Sequence, residues 1–266
     1  MTDKVTTATL SDMKRRGEKI SMLTAYDAPT ARALDEAGVD AVLVGDSVGM
    51  VKLGYESTIP VTVEEMLHHV KAVRRGLSRA LLVADMPYLS YELDARAACA
   101  NAGRFIKEGG AQAVKLEGGI ATAPVVKELL KVNIPVMGHL GLTPQAVHRL
   151  GGYKVQGRDP AQAEKLLTEA RILEGAGIFA LVLECVPGRL AREVTRLLKV
   201  PVIGIGAGPH CDGQVLVSDD MLGLSAGAGF KFVKRYAEMR RHMLKAFSSY
   251  RREVRSGAFP APRHGF

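Results

Sequence analysis

The sequence predicts an α/β chain folded as a closed (β/α)8 barrel. Three observations carry that expectation: short runs rich in Val, Leu and Ile recur along the chain, most are followed by a stretch with helical periodicity, and there are eight of them. The runs fall at residues 20–25, 41–45, 80–84, 113–116, 135–138, 179–183, 200–205 and 214–217. They are apolar along their length rather than alternating, the pattern of parallel strands covered on both faces. The 266 residues also sit near the ~250 typical of such a barrel.

Taken in order, the run at 20–25 leads into an amphipathic stretch at 29–37, and the run at 41–45 leads into another at 63–74. Between the last two lie residues 47–60, Gly-containing and without a period. The third run precedes helical spacing at 94–108. The fifth is followed by a second aperiodic segment, 139–159, and then by amphipathic residues 160–175. Long irregular segments in a compact domain are uncommon and often functional, so 47–60 and 139–159 are candidate lids. After the seventh run comes Gly204-Ile205-Gly206-Ala207-Gly208, followed by Pro209, His210 and another short run. A dinucleotide fingerprint needs a long helix there, so this glycine cluster reads as a tight turn at a strand end. No linker or low-complexity tract interrupts the chain, and residues 1–266 are expected to form a single barrel domain with a basic helical C-terminal segment.

Composition narrows the functional classes. With 47% hydrophobic residues the chain can bury a large core. The net charge of +8 owes much to Arg240, Arg241, Lys245, Arg251, Arg252, Arg255 and Arg263, which a solvated basic helix explains. Trp is absent and aromatics make up 5%, leaving little for base stacking, so no nucleic-acid partner is expected. The three cysteines, Cys99, Cys185 and Cys211, are widely spaced and are expected to be reduced and buried. No stretch approaches the ~20 apolar residues that span a bilayer, and the N-terminus lacks an apolar signal core, so no membrane association and a cytoplasmic location are expected.

Reactive groups in a βα barrel sit where strands end, and here those ends are acidic. The second run closes on Asp46, the third on Asp85, the fourth on Glu117 and the sixth on Glu184. Carboxylates from three consecutive strands would repel one another, a penalty that a divalent cation removes. All-oxygen donors favour a hard ion such as Mg2+, so Asp46, Asp85 and Glu117 are candidate metal ligands. The alternative is that any one of them caps the following helix. Lys115 lies two residues before Glu117 and so shares its face, a cation suited to an anionic substrate. Glu184, across the mouth, is a candidate general base or else the partner of Arg189 or Arg158 in a salt bridge. His139 ends the fifth run, as an oxyanion donor or a structural histidine. His68, His69 and His148 lack ligand spacing.

The sequence closely resembles the ketopantoate hydroxymethyltransferase family. The resemblance rests on Thr24-Ala25-Tyr26-Asp27, Leu43-Val44-Gly45-Asp46-Ser47-Val48-Gly49-Met50, Ala84-Asp85-Met86-Pro87 and Val114-Lys115-Leu116-Glu117-Gly118-Gly119. It continues through Gly138-His139-Leu140-Gly141-Leu142-Thr143-Pro144-Gln145, Gly151-Gly152-Tyr153-Lys154, Leu183-Glu184-Cys185-Val186-Pro187 and Pro201-Val202-Ile203-Gly204, covering most of residues 21–223. It implies a TIM barrel of the phosphoenolpyruvate/pyruvate type with one Mg2+ per subunit held at Asp46, Asp85 and Glu117. The 2-oxo acid would be contacted at Asp46, Ser47, Asp85 and Lys115, with Glu184 as proton acceptor. The implied reaction uses 5,10-methylenetetrahydrofolate as co-substrate, passes through a Mg2+-stabilised enolate and leads toward pantothenate. The resemblance also implies a homo-oligomer, commonly a decamer. Two departures put folate or subunit contacts in doubt: Asp219-Asp220 replaces a usual His-Asp pair, and the segment 225–231 leads into Phe230-Lys231-Phe232 rather than the usual Pro-Lys-Phe. The rival enzymatic reading is a carbon–carbon lyase or mutase, acting without folate, and the non-enzymatic one is a binding scaffold.

Overall fold

The computed structural model describes residues 4–225 and 230–266, grouped into two compact units, Met1–Val217 and Ser218–Phe266. In the first unit eight parallel strands close into a barrel in the order β1 to β8. They are β1 (Ile20–Thr24), β2 (Ala41–Val44), β3 (Leu81–Asp85), β4 (Ala113–Glu117), β5 (Val136–Gly141), β6 (Ala180–Glu184), β7 (Val202–Ile205) and β8 (Gly213–Leu216). Every one of the eight apolar runs is therefore a strand. The last pairing, β1 with β8, closes the ring with Met22 opposite Val215.

The helices are α1 (Thr7–Arg16), α2 (Ala28–Glu36), α3 (Val63–Arg74), α4 (Ala95–Lys107), α5 (Ala123–Lys131), α6 (Val147–Leu150), α7 (Pro160–Ala176), α8 (Gly188–Leu197), α9 (Ser218–Met221) and α10 (Met239–Ser256). Their starts are written locally. Asp27, Asp94 and Asp159 cap α2, α4 and α7 by accepting N–H bonds from Thr30, Ala97 and Gln162, and Thr62 closes a reciprocal capping box with Glu65 on α3. Each capping group thus lies in its own loop, and none of Asp46, Asp85 and Glu117 serves as a cap.

Two apolar layers result. One lies between the sheet and the outer helices, around Val70, Phe105, Leu129, Leu173 and Val194. The other fills the barrel interior with Ile20, Met22, Leu43, Leu81, Val83, Ala113, Met137, Ala180, Val182, Ile203 and Val215. Val5, Leu10 and Met13 join this inner layer, so α1 packs against the barrel interior beside β1. Helix α1 was not expected from the sequence, because Thr7–Arg16 has only a thin apolar stripe whose destination, the barrel interior, becomes visible only in three dimensions.

The two aperiodic segments are partly ordered. Residues 47–60 contain a π-helical turn, Gly49–Leu53, and residues 139–159 contain a 3-10 turn, Pro144–Ala146, followed by α6. The second segment begins inside the sheet rather than after it, since β5 runs on through His139 to Gly141. Gly141 ends that strand at φ 92°, and a Cβ there would lie 2.1 Å from the Glu184 carbonyl oxygen. The close approach of β5 to β6 at this level therefore requires glycine. Of the cysteines only Cys211 is buried; Cys99 and Cys185 are half-buried, and all three are free thiols.

At the opposite end of the strands, Asp35 of α2 accepts backbone N–H bonds from Ser78, Arg79 and Ala80 at 2.8–3.1 Å. Burial works against its charge, but these donors and the Arg79 guanidinium outweigh it and lower the carboxyl pKa. A lowered folded-state pKa means the stabilisation is present above the unfolded value of about 3.9 and is lost as pH falls through the folded one. Asp35→Ala is expected to destabilise the chain by about 1–3 kcal/mol at neutral pH. In urea titrations the gap from the parent protein should narrow below about pH 4.

The second unit holds α9 and α10. Helix α10 has no buried residue, and Met243, Leu244, Phe247, Tyr250 and Val254 are exposed along it beside its arginines. Asp219-Asp220 falls within α9, and the Phe230 and Phe232 rings stack at 5.3 Å. Residues 226–229 of the departing segment lie outside the described residues. Among the described residues no helix is long and apolar enough to cross a membrane.

Candidate active site

Side-chain alternation builds the site. Leu81 and Val83 of β3, Ala113 of β4, Met137 of β5 and Val182 of β6 all belong to the inner layer, so the same faces bring Asp85, Lys115, Glu117, His139 and Glu184 into the barrel mouth. The register sets their heights: Asp85 is level with Lys115, and Glu117 with His139. Asp46 lies two residues past the end of β2, and its N–H donates to Asp85 Oδ2 at 3.1 Å. Asp46, Asp85, Lys115, Glu117 and His139 are all buried, while the Glu184 side chain keeps 16% of its surface.

Charge is crowded here. The Lys115 ammonium is seated against Asp85 Oδ1 as a buried ion pair. His139 bridges two acids, its Nδ1 standing 3.3 Å from Glu117 Oε1 and its Nε2 3.3 Å from Glu184 Oε2. The salt bridge considered for Glu184 with Arg189 or Arg158 is replaced by this contact, because Glu184 points inward from β6.

The protonation states follow from that crowding. Burial, then repulsion from Asp85 and Glu117, lifts the Asp46 carboxyl well above the usual range. Burial also raises Asp85, against the pull of Lys115. Burial opposes charge on Lys115, yet Asp85, Glu117 and Asp46 together push its pKa up. His139 loses from burial and from Lys115 but gains more from Glu117 and Glu184, and its pKa rises to about 9. Glu117 is lowered despite burial, chiefly by His139.

Four carboxyl groups, Asp46, Asp85, Glu117 and Glu184, therefore share Lys115 and His139, and Asp46, whose charge is strongly disfavoured, is where a further positive charge would help most. Hard oxygen donors, a disfavoured charge on Asp46 and the absence of a thiol among them suit a divalent cation such as Mg2+. As the side chains stand, however, no group of three His, Cys, Asp or Glu among the described residues is gathered to hold a metal ion. Lys115, on Asp85, is the counter-ion in place.

Ser47 is held by the Tyr26 hydroxyl at 2.8 Å, and the Lys52 ammonium lies 5.9 Å from the centre of the Tyr26 ring. His69 bonds the Tyr26 carbonyl oxygen through Nδ1 at 2.7 Å, which gives that histidine a structural place in α3. Over the mouth the two aperiodic segments meet: the Tyr153 hydroxyl lies 3.8 Å from Met50 Sδ. Burial, then Asp46, Glu184 and Glu117, raise the Tyr153 phenol, which places its ring within the field of the mouth acids. A groove of about 460 Å3 lined by Glu164, Arg171, Glu193 and Arg196 on α7 and α8 shares no residue with this site.

Sequence reading passed over Tyr91 and Gln145. Both are buried; Gln145 bonds the carboxyl groups of Asp46 and Glu117, and Tyr91 bonds the backbone of Glu117. Gln145 stands in one of the quoted motifs, but an uncharged side chain gave no signal on its own, and Tyr91 lies in a loop without a period.

A family model described as ketopantoate hydroxymethyltransferase matches residues 4–262. The chain belongs to the ketopantoate hydroxymethyltransferase family. Relatives named 3-methyl-2-oxobutanoate hydroxymethyltransferase include one from Thermoanaerobacter sp. (strain X514), 56% identical over 266 residues, which are 100% of this chain and 97% of the relative. Another, from Moorella thermoacetica (strain ATCC 39073 / JCM 9320), is 57% identical over 263 residues, 99% of this chain and 98% of its own. As a member of the ketopantoate hydroxymethyltransferase family the chain is a hydroxymethyl-transferring enzyme. Its barrel is shared with solved structures at low identity. A phosphonopyruvate hydrolase superposes with a TM-score of 0.62 at 14% identity, covering 97% of this chain and 92% of that one. A 2,3-dimethylmalate lyase, described as a PEP mutase/isocitrate lyase superfamily member, gives 0.60 at 14%, with the same coverages. These last two likenesses bear on the fold alone.

Proposed function

We propose that this enzyme transfers the one-carbon unit of 5,10-methylenetetrahydrofolate to C3 of 3-methyl-2-oxobutanoate, giving 2-dehydropantoate and tetrahydrofolate on the route to pantothenate. One water is consumed, and it supplies the oxygen of the new hydroxymethyl group. The observation that carries the reading is the inward ring of Asp85, Lys115, Glu117, His139 and Glu184, with Asp46 beside it, at one barrel mouth. A 2-oxo acid is an anion with an electrophilic carbonyl, and Lys115 offers a buried positive charge to it. Asp46, Ser47 and Asp85 line the same approach.

Asp46, Asp85 and Glu117 are the residues that would hold Mg2+. When bound, the cation supplies positive charge beside the 2-oxo group and so acidifies the C3 proton. Glu184 takes that proton. His139, shared between Glu117 and Glu184, orients the base and steadies its charge. Lys115 stabilises the negative charge that moves onto the substrate oxygen as C3 becomes nucleophilic. The segments 47–60 and 139–159 exclude water while the one-carbon unit is transferred. With oxo acid and folate both bound, limited proteolysis within 47–60 is expected to slow; an unchanged cleavage rate would remove the lid role.

The deciding experiment follows label from methylene-labelled 5,10-methylenetetrahydrofolate into 2-dehydropantoate, with and without Mg2+. Incorporation that depends on Mg2+ supports the whole reading, and rearrangement or cleavage of the oxo acid without folate would replace it by a lyase or mutase. The reading includes self-association, a decamer by family resemblance, and the exposed apolar side chains of α10 support it. A monomer mass by light scattering would refute that part.

A further inference from the structure

One uncharged residue reaches the acids of two strands and the backbone after a third. The Gln145 side chain donates through Nε2 to Asp46 Oδ2 at 2.8 Å and to the Met86 carbonyl oxygen at 3.0 Å. Its backbone N–H donates to Glu117 Oε2 at 3.1 Å. Its Oε1 accepts from the Tyr91 hydroxyl at 2.8 Å. Gln145 is 6% exposed and Tyr91 1%.

The amide has one tolerable orientation. Turned over, its oxygen would face the Met86 carbonyl oxygen, two acceptors with no proton between them. As placed, both amide protons are used and the oxygen faces the single donor within reach. That donor is itself constrained, because the Tyr91 oxygen accepts the Glu117 N–H at 3.2 Å and its one proton can serve either Gln145 Oε1 or the Glu117 carbonyl oxygen at 3.1 Å. The shorter contact goes to Gln145. Every member of the chain from Glu117 N–H through Tyr91 and Gln145 to Asp46 is then satisfied, as a buried network must be to hold one geometry.

The consequence reaches the charged centre. One oxygen of Asp46 and one of Glu117 are held by the same residue, so the remaining oxygens, Asp46 Oδ1 and Glu117 Oε1, are the ones left to turn toward a cation or His139. A lysine or arginine in this place would hold the carboxylates but neutralise them. A glutamine holds them and leaves their charge intact.

We propose that Gln145, oriented by Tyr91, is a positioning residue that sets the attitude of Asp46 and Glu117 for a divalent cation. This rests on the metal role proposed above. The test is isothermal titration of the purified full chain with Mg2+, and with Mn2+ followed by its electron paramagnetic resonance signal, so that binding is read without turnover. Gln145→Met keeps the volume and the Glu117-bonding N–H but removes the Asp46 donor, and is expected to weaken cation affinity 10–100-fold. Tyr91→Phe leaves the amide unaligned and is expected to weaken it several-fold. The double variant should match Gln145→Met alone, because Tyr91 acts through Gln145. Full-strength binding by Gln145→Met would overturn the proposal while leaving the metal role standing. If the parent chain binds neither ion, the metal role falls and takes this proposal with it. If Gln145→Met fails to fold, Tyr91→Phe decides: parent-like affinity there overturns the alignment, and a several-fold loss with an unchanged thermal midpoint supports it.

Discussion

Asp85→Ala is expected to abolish turnover and to lower folding stability by about 3–5 kcal/mol, the range for removing one partner of a buried ion pair. The stability loss arises because Lys115 would be left charged and enclosed, with the Asp85 side chain that meets its ammonium gone. Turnover is lost for a different reason, since Asp85 is one of the three acids proposed to hold the cation and one of the residues proposed to contact the oxo acid. The two effects can be separated. Adding Lys115→Met removes the stranded ammonium, so Asp85→Ala/Lys115→Met should recover much of the stability in urea titrations while remaining inactive. A double variant that regained activity with its stability would show that the pair is structural and that the chemistry lies elsewhere.

The second large effect is expected at Glu184. Glu184→Gln preserves size and can still meet His139, but it cannot accept the C3 proton. Exchange of deuterium from solvent into 3-methyl-2-oxobutanoate, measured without folate, should fall by about 10²–10⁴-fold, the usual contribution of a positioned general base. Cation affinity should stay within a few-fold of the parent, because Glu184 is not among the acids proposed to hold the cation and reaches Glu117 only through His139. Exchange at the parent rate would exclude Glu184 as the base. His139 would then be the group to examine, since its Nε2 lies 3.3 Å from Glu184 Oε2.

The contrast between these two residues shows how far sequence reading goes. Asp85 and Glu184 were both found as acids at the ends of apolar runs, which needs only strand period and the habit of βα barrels to keep their chemistry at one mouth. Lys115 follows from the same parity, and His139 from its place at the end of the fifth run; which of these groups pair with which does not. Lys115 meets Asp85 because β3 and β4 pair with those two residues level, and Glu184 meets His139 because β5 continues three residues past its apolar run and pairs with β6 there. The sequence-level alternatives were also resolved by packing: helix capping falls to Thr62, Asp94 and other loop residues, which leaves the strand-terminal acids to the mouth.

The order of eight strands, the acids that end four of them and the family to which the chain belongs were determined by residues adjacent in sequence, because period, strand ends and motifs are local properties. The inward placement of α1, the contact of Tyr153 with Met50 and the bridge from Tyr91 through Gln145 to Asp46 were decided only by the closed barrel. Tyr91 and Gln145, Gln145 and Asp46, and Tyr153 and Met50 are 54, 99 and 103 positions apart, and an uncharged amide or a thin apolar stripe acquires its role only when barrel closure removes water and brings its partner within reach.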